Sequence, residues 1–424
     1  MSTGVLQDPM GQTPENKVPY RDMGLITIGH ALTHWYPATF FMLLPLIGQE
    51  LGLNYSQIGF IMTCQYAAGA ISNVPGGMLV DIWGKKGQLM ALSLFWVGFP
   101  YFLMGFTTTY WMLLVCAMLV GMGNNLWHPT AIPLLGKMFP DRKGLALSLH
   151  GMGGNMGDAL APLAVGALLS VFSWHQIVML NVVPGAVMSM LILYFLGTLS
   201  FVAKGKNAPE TSKANLGEVK GRQQSFQSYL EGLSLLIKTP GLFMLILSSS
   251  FRSMTQATLL TFLPLYLAKE MQYNVFWVGA VMAILQVAGF VAAPIAGHLS
   301  DKLGRRTLLM SCFAVSGVVL LLMTFAGGST LFVVLIALLG FFLYAARPVM
   351  QAWLLESAPS NMGGTSIGLM FGMQSAAQAA APIIGGLVAD AFGLMAAFYF
   401  LAATILLANL MVFFIPAPAT HSET

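Results

Sequence analysis

Seven ionisable side chains interrupt long apolar stretches of this sequence, and their types and spacing limit the chemistry they can do. His30 and His34 are spaced i, i+4 and so share one helix face, with Thr33 beside them. His128, His150 and Asp158 follow; Arg252 has Gln256 one turn on, and Arg347 has Gln351 one turn on. Guanidinium groups stay charged and hold carboxylate, phosphonate or phosphate in bidentate fashion. Arg252 and Arg347, with Gln256, Gln351, His30, His34 and His128, are therefore the expected binding set for a small organic anion. Arg347 could instead pair with Glu356 or a backbone carbonyl near the cytoplasmic end. Desolvation favours the neutral form of a carboxylate, so Asp158, the one acidic residue near the middle of an apolar run, is a candidate for proton exchange, with permanent neutralisation of an arginine as the alternative. His150 lies eight residues earlier, about 12 Å along a helix, and is the next proton-exchange candidate because histidine titrates near neutral pH.

The elements that must position these groups are membrane helices. The chain has 424 residues, 57% hydrophobic and 8% charged, with mean hydropathy +0.75, against roughly 25% charged in soluble domains. Runs long enough for helices of about 20 residues recur, whereas a barrel would show short alternating segments. Twelve spans are expected near 22–48, 56–80, 88–106, 110–136, 143–170, 176–203, 240–268, 275–299, 307–326, 329–355, 362–389 and 393–415. Domain limits follow: a tail at 1–21, a six-helix bundle at 22–203, a polar linker at 204–239 whose Ser225 to Lys238 portion could form an amphipathic surface helix, a second bundle at 240–415, and a tail at 416–424. Basic residues favour the cytoplasmic side of short loops. They accumulate in the even-numbered loops and the linker, which places both termini in the cytoplasm. Cys64, Cys116 and Cys312 lie within apolar runs, so neither a disulfide nor a metal site is expected.

The two bundles repeat. Gly77-Met-Leu-Val-Asp81-Ile-Trp-Gly84-Lys85-Lys86 returns 220 positions later as Gly297-His-Leu-Ser-Asp301-Lys-Leu-Gly304-Arg305-Arg306. His128-Pro129 answers Arg347-Pro348, and Asn155 answers Gln374, at an offset of 219. His30, His34, Asp158 and Arg252 have no charged counterpart.

With this loop motif in both halves of a twelve-span chain, the sequence resembles the major facilitator superfamily over essentially its full length. The resemblance implies an all-α membrane protein of twelve transmembrane helices in two pseudo-symmetric six-helix bundles, with first, fourth, seventh and tenth spans lining a central cavity. It also implies a gating latch in Gly77, Asp81, Gly84, Lys85, Lys86, Gly297, Asp301, Gly304, Arg305 and Arg306. The segment 123–166, Gly29-His30 and the Leu-Gly-Leu-Asn-Tyr-Ser-Gln-Ile-Gly59 run are similar to the fosmidomycin-resistance branch of bacterial drug exporters. The fifth span, Gly157-Asp-Ala-Leu-Ala161-Pro162 to Gly166, resembles an antiporter motif and is answered by Ala381-Pro382 to Gly386; small residues and proline there suit either a pivot or close packing.

No phosphate-cradling Gly-x-x-x-x-Gly-Lys-Ser/Thr loop, regular metal-ligand spacing or soluble catalytic domain is present, which argues against an enzyme and against ATP-driven transport on this chain. The expectation is a monomeric secondary active transporter of the bacterial inner membrane. Its partners would be a small-molecule substrate, protons and lipid, with no cofactor and no nucleic acid. Proton-coupled efflux of an anion is favoured, with uptake or exchange of a small organic acid as the alternative.

Overall fold

The computed structural model describes residues 20–83, 85–124, 126–139, 142–197, 238–327, 329–358 and 363–415. The tails, the linker with its possible surface helix, and Gly84 lie outside the described residues. Among the described residues fourteen α-helices make up twelve spans: α1 (Tyr20–Glu50), α2 (Tyr55–Trp83), α3 (Lys86–Met104), α4 (Tyr110–Asn124) with α5 (Trp127–Met138), α6 (Lys143–Leu168), α7 (Trp174–Leu180) with α8 (Val182–Leu196), then α9 (Pro240–Lys269), α10 (Val275–Leu303), α11 (Arg305–Ala326), α12 (Thr330–Ser357), α13 (Gly363–Phe392) and α14 (Met395–Phe413).

The fourth and sixth spans, expected to be continuous, are each broken once. The sixth breaks at Asn181, whose side-chain amide donates to the Ile177 carbonyl (3.1 Å) while its oxygen accepts from the Trp35 indole (2.8 Å). Its own carbonyl accepts from the Tyr36 hydroxyl at 2.9 Å. Local boundaries are otherwise readable from caps. Ser173 and Gln176 form a capping box before α7, Asn274 accepts from the Trp277 amide before α10, and Pro240 opens α9. Gly304 links α10 to α11 with φ +86°, which a Cβ would strain.

Eight spans among the described residues are long and apolar enough to cross a membrane by length and composition. The other four, α1, α2, α6 and α9, include the three helices that carry His30, His34, His150, Asp158 and Arg252. Large apolar side chains face outward on many helices; Tyr194 and Phe325 are each 80% exposed, a cost in water that hydrocarbon removes. Within the first half α1 packs on α6, α2 on α4 and α3 on α8; within the second α10 packs on α12, α9 on α13 and α14, and α11 on α14.

The halves meet where α2 crosses α13 and where α6 crosses α10. At the end of the molecule away from the repeated loop motifs the crossings are close. A Cβ added at Gly59 would fall on the Pro382 carbonyl, at Gly279 on the Pro162 carbonyl, at Gly386 on Tyr55 backbone, and at Gly166 on Val275 and Phe276 backbone. Each member of the first crossing has its equivalent in the second 220 positions away, so the seam obeys the internal repeat. Asp390 of α13 adds a cross-half cap, accepting from the amides of Tyr55 (2.8 Å) and Ser56 (2.9 Å) at the start of α2. This end is sealed.

Candidate functional site

Glycines bring the first three ionisable elements together. Gly153 and Gly157, one turn apart on α6, lie against the carbonyls of Thr27 and Ala31, one turn apart on α1. Small residues at i, i+4 allow two parallel helices this approach. Consequently His30 faces the His150 turn and His34 faces Asp158. On the other side of α1, Gly29 abuts the fully buried indole of Trp127, which fixes the neighbouring His128 beside His30.

Four of the seven histidines thus converge. His30 Nδ1 is 2.5 Å from the His150 carbonyl oxygen, so that nitrogen carries a hydrogen and donates it. In neutral His30, Nε2 then presents a lone pair, and it lies 3.0 Å from His128 Nε2. The His30 and His150 rings stack, with centroids 3.8 Å apart and planes 13° apart. His34 Nδ1 pairs with Asp158 Oδ2 at 2.8 Å. Gly154 closes the arrangement: a Cβ there would come within 2.8 Å of His30 Cε1 and 3.0 Å of His34 Nε2.

The cluster forms one wall of a cavity of about 1010 Å³ between the halves, lined by α1, α5 and α6 on one side and α10 and α12 on the other. The opposite wall carries Tyr344, Arg347 and Gln351, at successive turns of α12, and Gln286 of α10. Asn155 also lines it. Lining residues nearest the motif loops, among them Leu147, Met152 and Ile295, are exposed, so the cavity opens toward that end.

Several expectations need correction. The seventh span, α9, supplies none of the lining residues. It is buried along nearly all its length by α13, α14 and α1, so Arg252 and Gln256 lie behind the wall rather than in it. Arg252 is 3% exposed; it donates to Gln256 Oε1 (2.9 Å) and Ser253 Oγ (3.2 Å), and its Nε has no hydrogen-bond partner. Asp158 pairs with His34 and with neither arginine. Glu356 pairs with Arg305 at 2.7 Å, and Arg305 also reaches Asp301 at 2.7 Å, so Arg347 is not held by Glu356. In the second motif these contacts, with Arg306 donating to the Phe413 carbonyl at 2.6 Å, stay within one half. In the first motif the side chains of Gly77 and Asp81 are not among those described. Tyr344, Trp127 and Gly154 were missed by sequence reasoning; Tyr344 sits three residues before Arg347, a helical spacing that could have flagged it.

A model of the Major Facilitator Superfamily matches residues 26–304 and 278–424. The chain belongs to the Major Facilitator Superfamily. Its curated relatives include the multidrug resistance protein MdtG of Rahnella sp., 25% identical over 396 residues (91% of each chain), and that of Yersinia enterocolitica, 25% identical over 405 residues (94% of this chain, 93% of the relative). Among solved structures, a bacterial homolog of the human lysosomal transporter Spinster, inward-facing and unoccupied, superposes with TM-score 0.74 at 15% identity, covering 94% of this chain and 97% of that one. The nucleoside transporter NupG gives 0.74 at 14% identity, covering 92% and 99%. Those likenesses establish the fold. As a major facilitator this protein is a multi-pass membrane transporter of the secondary class, in a family of transporters rather than enzymes.

Proposed function

We propose that the cavity is the transport site of a proton-coupled exporter of small organic anions, working by alternating access between the bundles at 22–203 and 240–415. The observation that carries this reading is the division of the cavity: a fixed cation, Arg347, on one half faces a carboxylate–imidazole pair, Asp158 and His34, on the other. An anion held by Arg347 and Gln351 would draw on the first wall for the rest of its contacts. A proton taken up by the Asp158–His34 pair weakens that pair's hold on its surroundings and is exchanged when the cavity faces the other side. Export is favoured by the relatives, which are multidrug resistance proteins, and by the narrower similarity to the fosmidomycin-resistance branch.

Orientation follows from the basic loops: the open, motif-bearing end faces the cytoplasm of a bacterium, with both termini there and the protein in the inner membrane as a monomer. The Gly59/Pro382 and Gly279/Pro162 crossings are the parts that separate when the far end opens. Arg252 and Gln256, one layer behind the wall, would join the site in that alternate state. The motif cations, from Lys85 and Lys86 to Arg305 and Arg306, would latch the cytoplasmic end when it closes.

Proteoliposomes with an imposed pH gradient and a panel of carboxylates and phosphonates test the reading. Accumulation of substrate on the acidic side supports antiport; accumulation on the alkaline side identifies uptake or symport of an organic acid. Asp158→Asn keeps an acceptor for His34 but removes the charge. Unchanged gradient-driven transport in that variant would exclude Asp158 as the coupling group.

A further inference from the structure

We infer that His30, His34 and His128 form a binding site for a divalent first-row transition metal ion, with its open coordination position facing the cavity. One ring nitrogen from each of the three lies within 4.8 Å of the others. The His30 and His128 Nε2 atoms are already 3.0 Å apart, close to the roughly 3.3 Å that two nitrogens keep around a tetrahedral zinc with bonds of about 2.0–2.1 Å. An inward movement of His34 completes a three-histidine face of the kind that leaves a fourth position open.

Two features of the surroundings are those of a metal site rather than of histidines packed for shape. A metal-ligating imidazole donates its second ring N–H to a carbonyl or a carboxylate, which fixes its tautomer and orientation. Here His30 Nδ1 donates to the His150 carbonyl (2.5 Å), and His34 Nδ1 meets the Asp158 carboxylate (2.8 Å). Both leave Nε2 as the ligand atom. His128 supplies its Nε2 by moving its hydrogen to Nδ1, a change of tautomer without loss of a proton. The second feature is the packing that holds the ligand rings in place. His150 is 4% exposed, stacks on His30, and has both ring nitrogens without a hydrogen-bond partner. Gly154 leaves the space in which His30 and His34 converge. Imidazole donors suit zinc, cobalt, nickel and copper more than magnesium or calcium.

The open position faces the cavity that also holds Arg347. On the reading of that cavity as the transport site, the substrate class becomes a metal carrying an anionic organic ligand: the imidazoles hold the metal while Arg347 holds the anion. This sharpens the choice among organic anions toward chelators.

The test uses the full chain, purified in detergent without a polyhistidine tag, and titrated with Co2+ and Zn2+ in equilibrium dialysis. One Co2+ per chain with the intense visible bands of a tetrahedral site is expected, displaced by Zn2+. His30→Gln, His34→Gln and His128→Gln should each abolish those bands, while His175→Gln and His298→Gln leave them intact. Asp158→Asn should weaken binding about 10- to 100-fold. Thermal unfolding and gel filtration of each variant show whether it is folded. Absence of Co2+ binding by folded wild-type protein, or bands that survive all three cluster substitutions, would overturn the site. Because this assay involves no transport, loss of metal binding with intact anion export would defeat the metal site alone. Metal binding without gradient-driven export would instead defeat the proposed coupling.

Discussion

At the level of single residues, Arg347 and Arg252 look alike in sequence yet occupy different environments. Arg347 is exposed on the cavity wall, so Arg347→Lys keeps the charge but gives up the bidentate fork. A hydrogen bond to a charged group is worth about 1.5–3 kcal/mol, so KM for an anionic substrate should rise roughly 10- to 150-fold in a transport assay, with little change in thermal stability. Arg252 is buried without a carboxylate partner among the described residues. Replacing a poorly compensated buried charge by an apolar residue of similar length is often neutral or stabilising. Arg252→Met should therefore leave the melting temperature unchanged or higher, while slowing turnover by denying the alternate state its second cation. A melting temperature several degrees lower would show that the guanidinium is structural. The residue types at this site were legible in the sequence, because ionisable groups stand out in apolar runs. Their grouping was not: His128 and His150 lie 98 and 120 positions beyond His30, and no periodicity relates three different helices.

At the level of elements, the contact between α1 and α6 sets the geometry of the cluster. Gly157 abuts the Ala31 carbonyl, and backbone cannot move aside as a flexible side chain would. Gly157→Val should cost on the order of 1–3 kcal/mol from overpacking and separate His34 from Asp158, seen as lower thermal stability together with loss of pH-gradient coupling. A substitution on the cavity side, such as Ser148→Ala, should alter neither. The twelve spans were legible because hydropathy and basic loops both report them. The breaks at Leu126 and Asn181 were not, because hydropathy averaged over a whole span absorbs short polar interruptions such as Asn124-Asn125 and Asn181. Asn181 acts through bonds to Trp35 and Tyr36, 146 and 145 positions away. The assignment of the seventh span to the cavity came from family resemblance. In this structure, with the motif-bearing end open, α9 is enclosed by α13 and α14 and supplies none of the cavity's lining residues.

At the level of the whole molecule, the open end and the sealed end are governed by different forces. The two motif-end ion pairs of Arg305 involve carboxylates more than half exposed, where solvent screening leaves little net stabilisation. The sealed end holds through close backbone packing and the Asp390 cap on α2. Removing an N-cap side chain costs about 0.5–2 kcal/mol. Asp390→Ala should shift the population toward the form open at the far end by roughly 2- to 30-fold, measurable as faster labelling of a cysteine placed at Gln256 in a background lacking the three native thiols.

The Gly59, Gly166, Gly279 and Gly386 crossings place unequal demands on the residues they join. Each glycine faces backbone of the opposite helix, and backbone is present whatever side chain stands there. In a saturation mutagenesis screen for function, the four glycines should therefore be almost intolerant of change, while Tyr55 and Val275, whose main chains they touch, should accept many replacements. The seam would be sharply constrained on one side and free to drift on the other, leaving no correlated substitutions between the halves from which its position could be inferred.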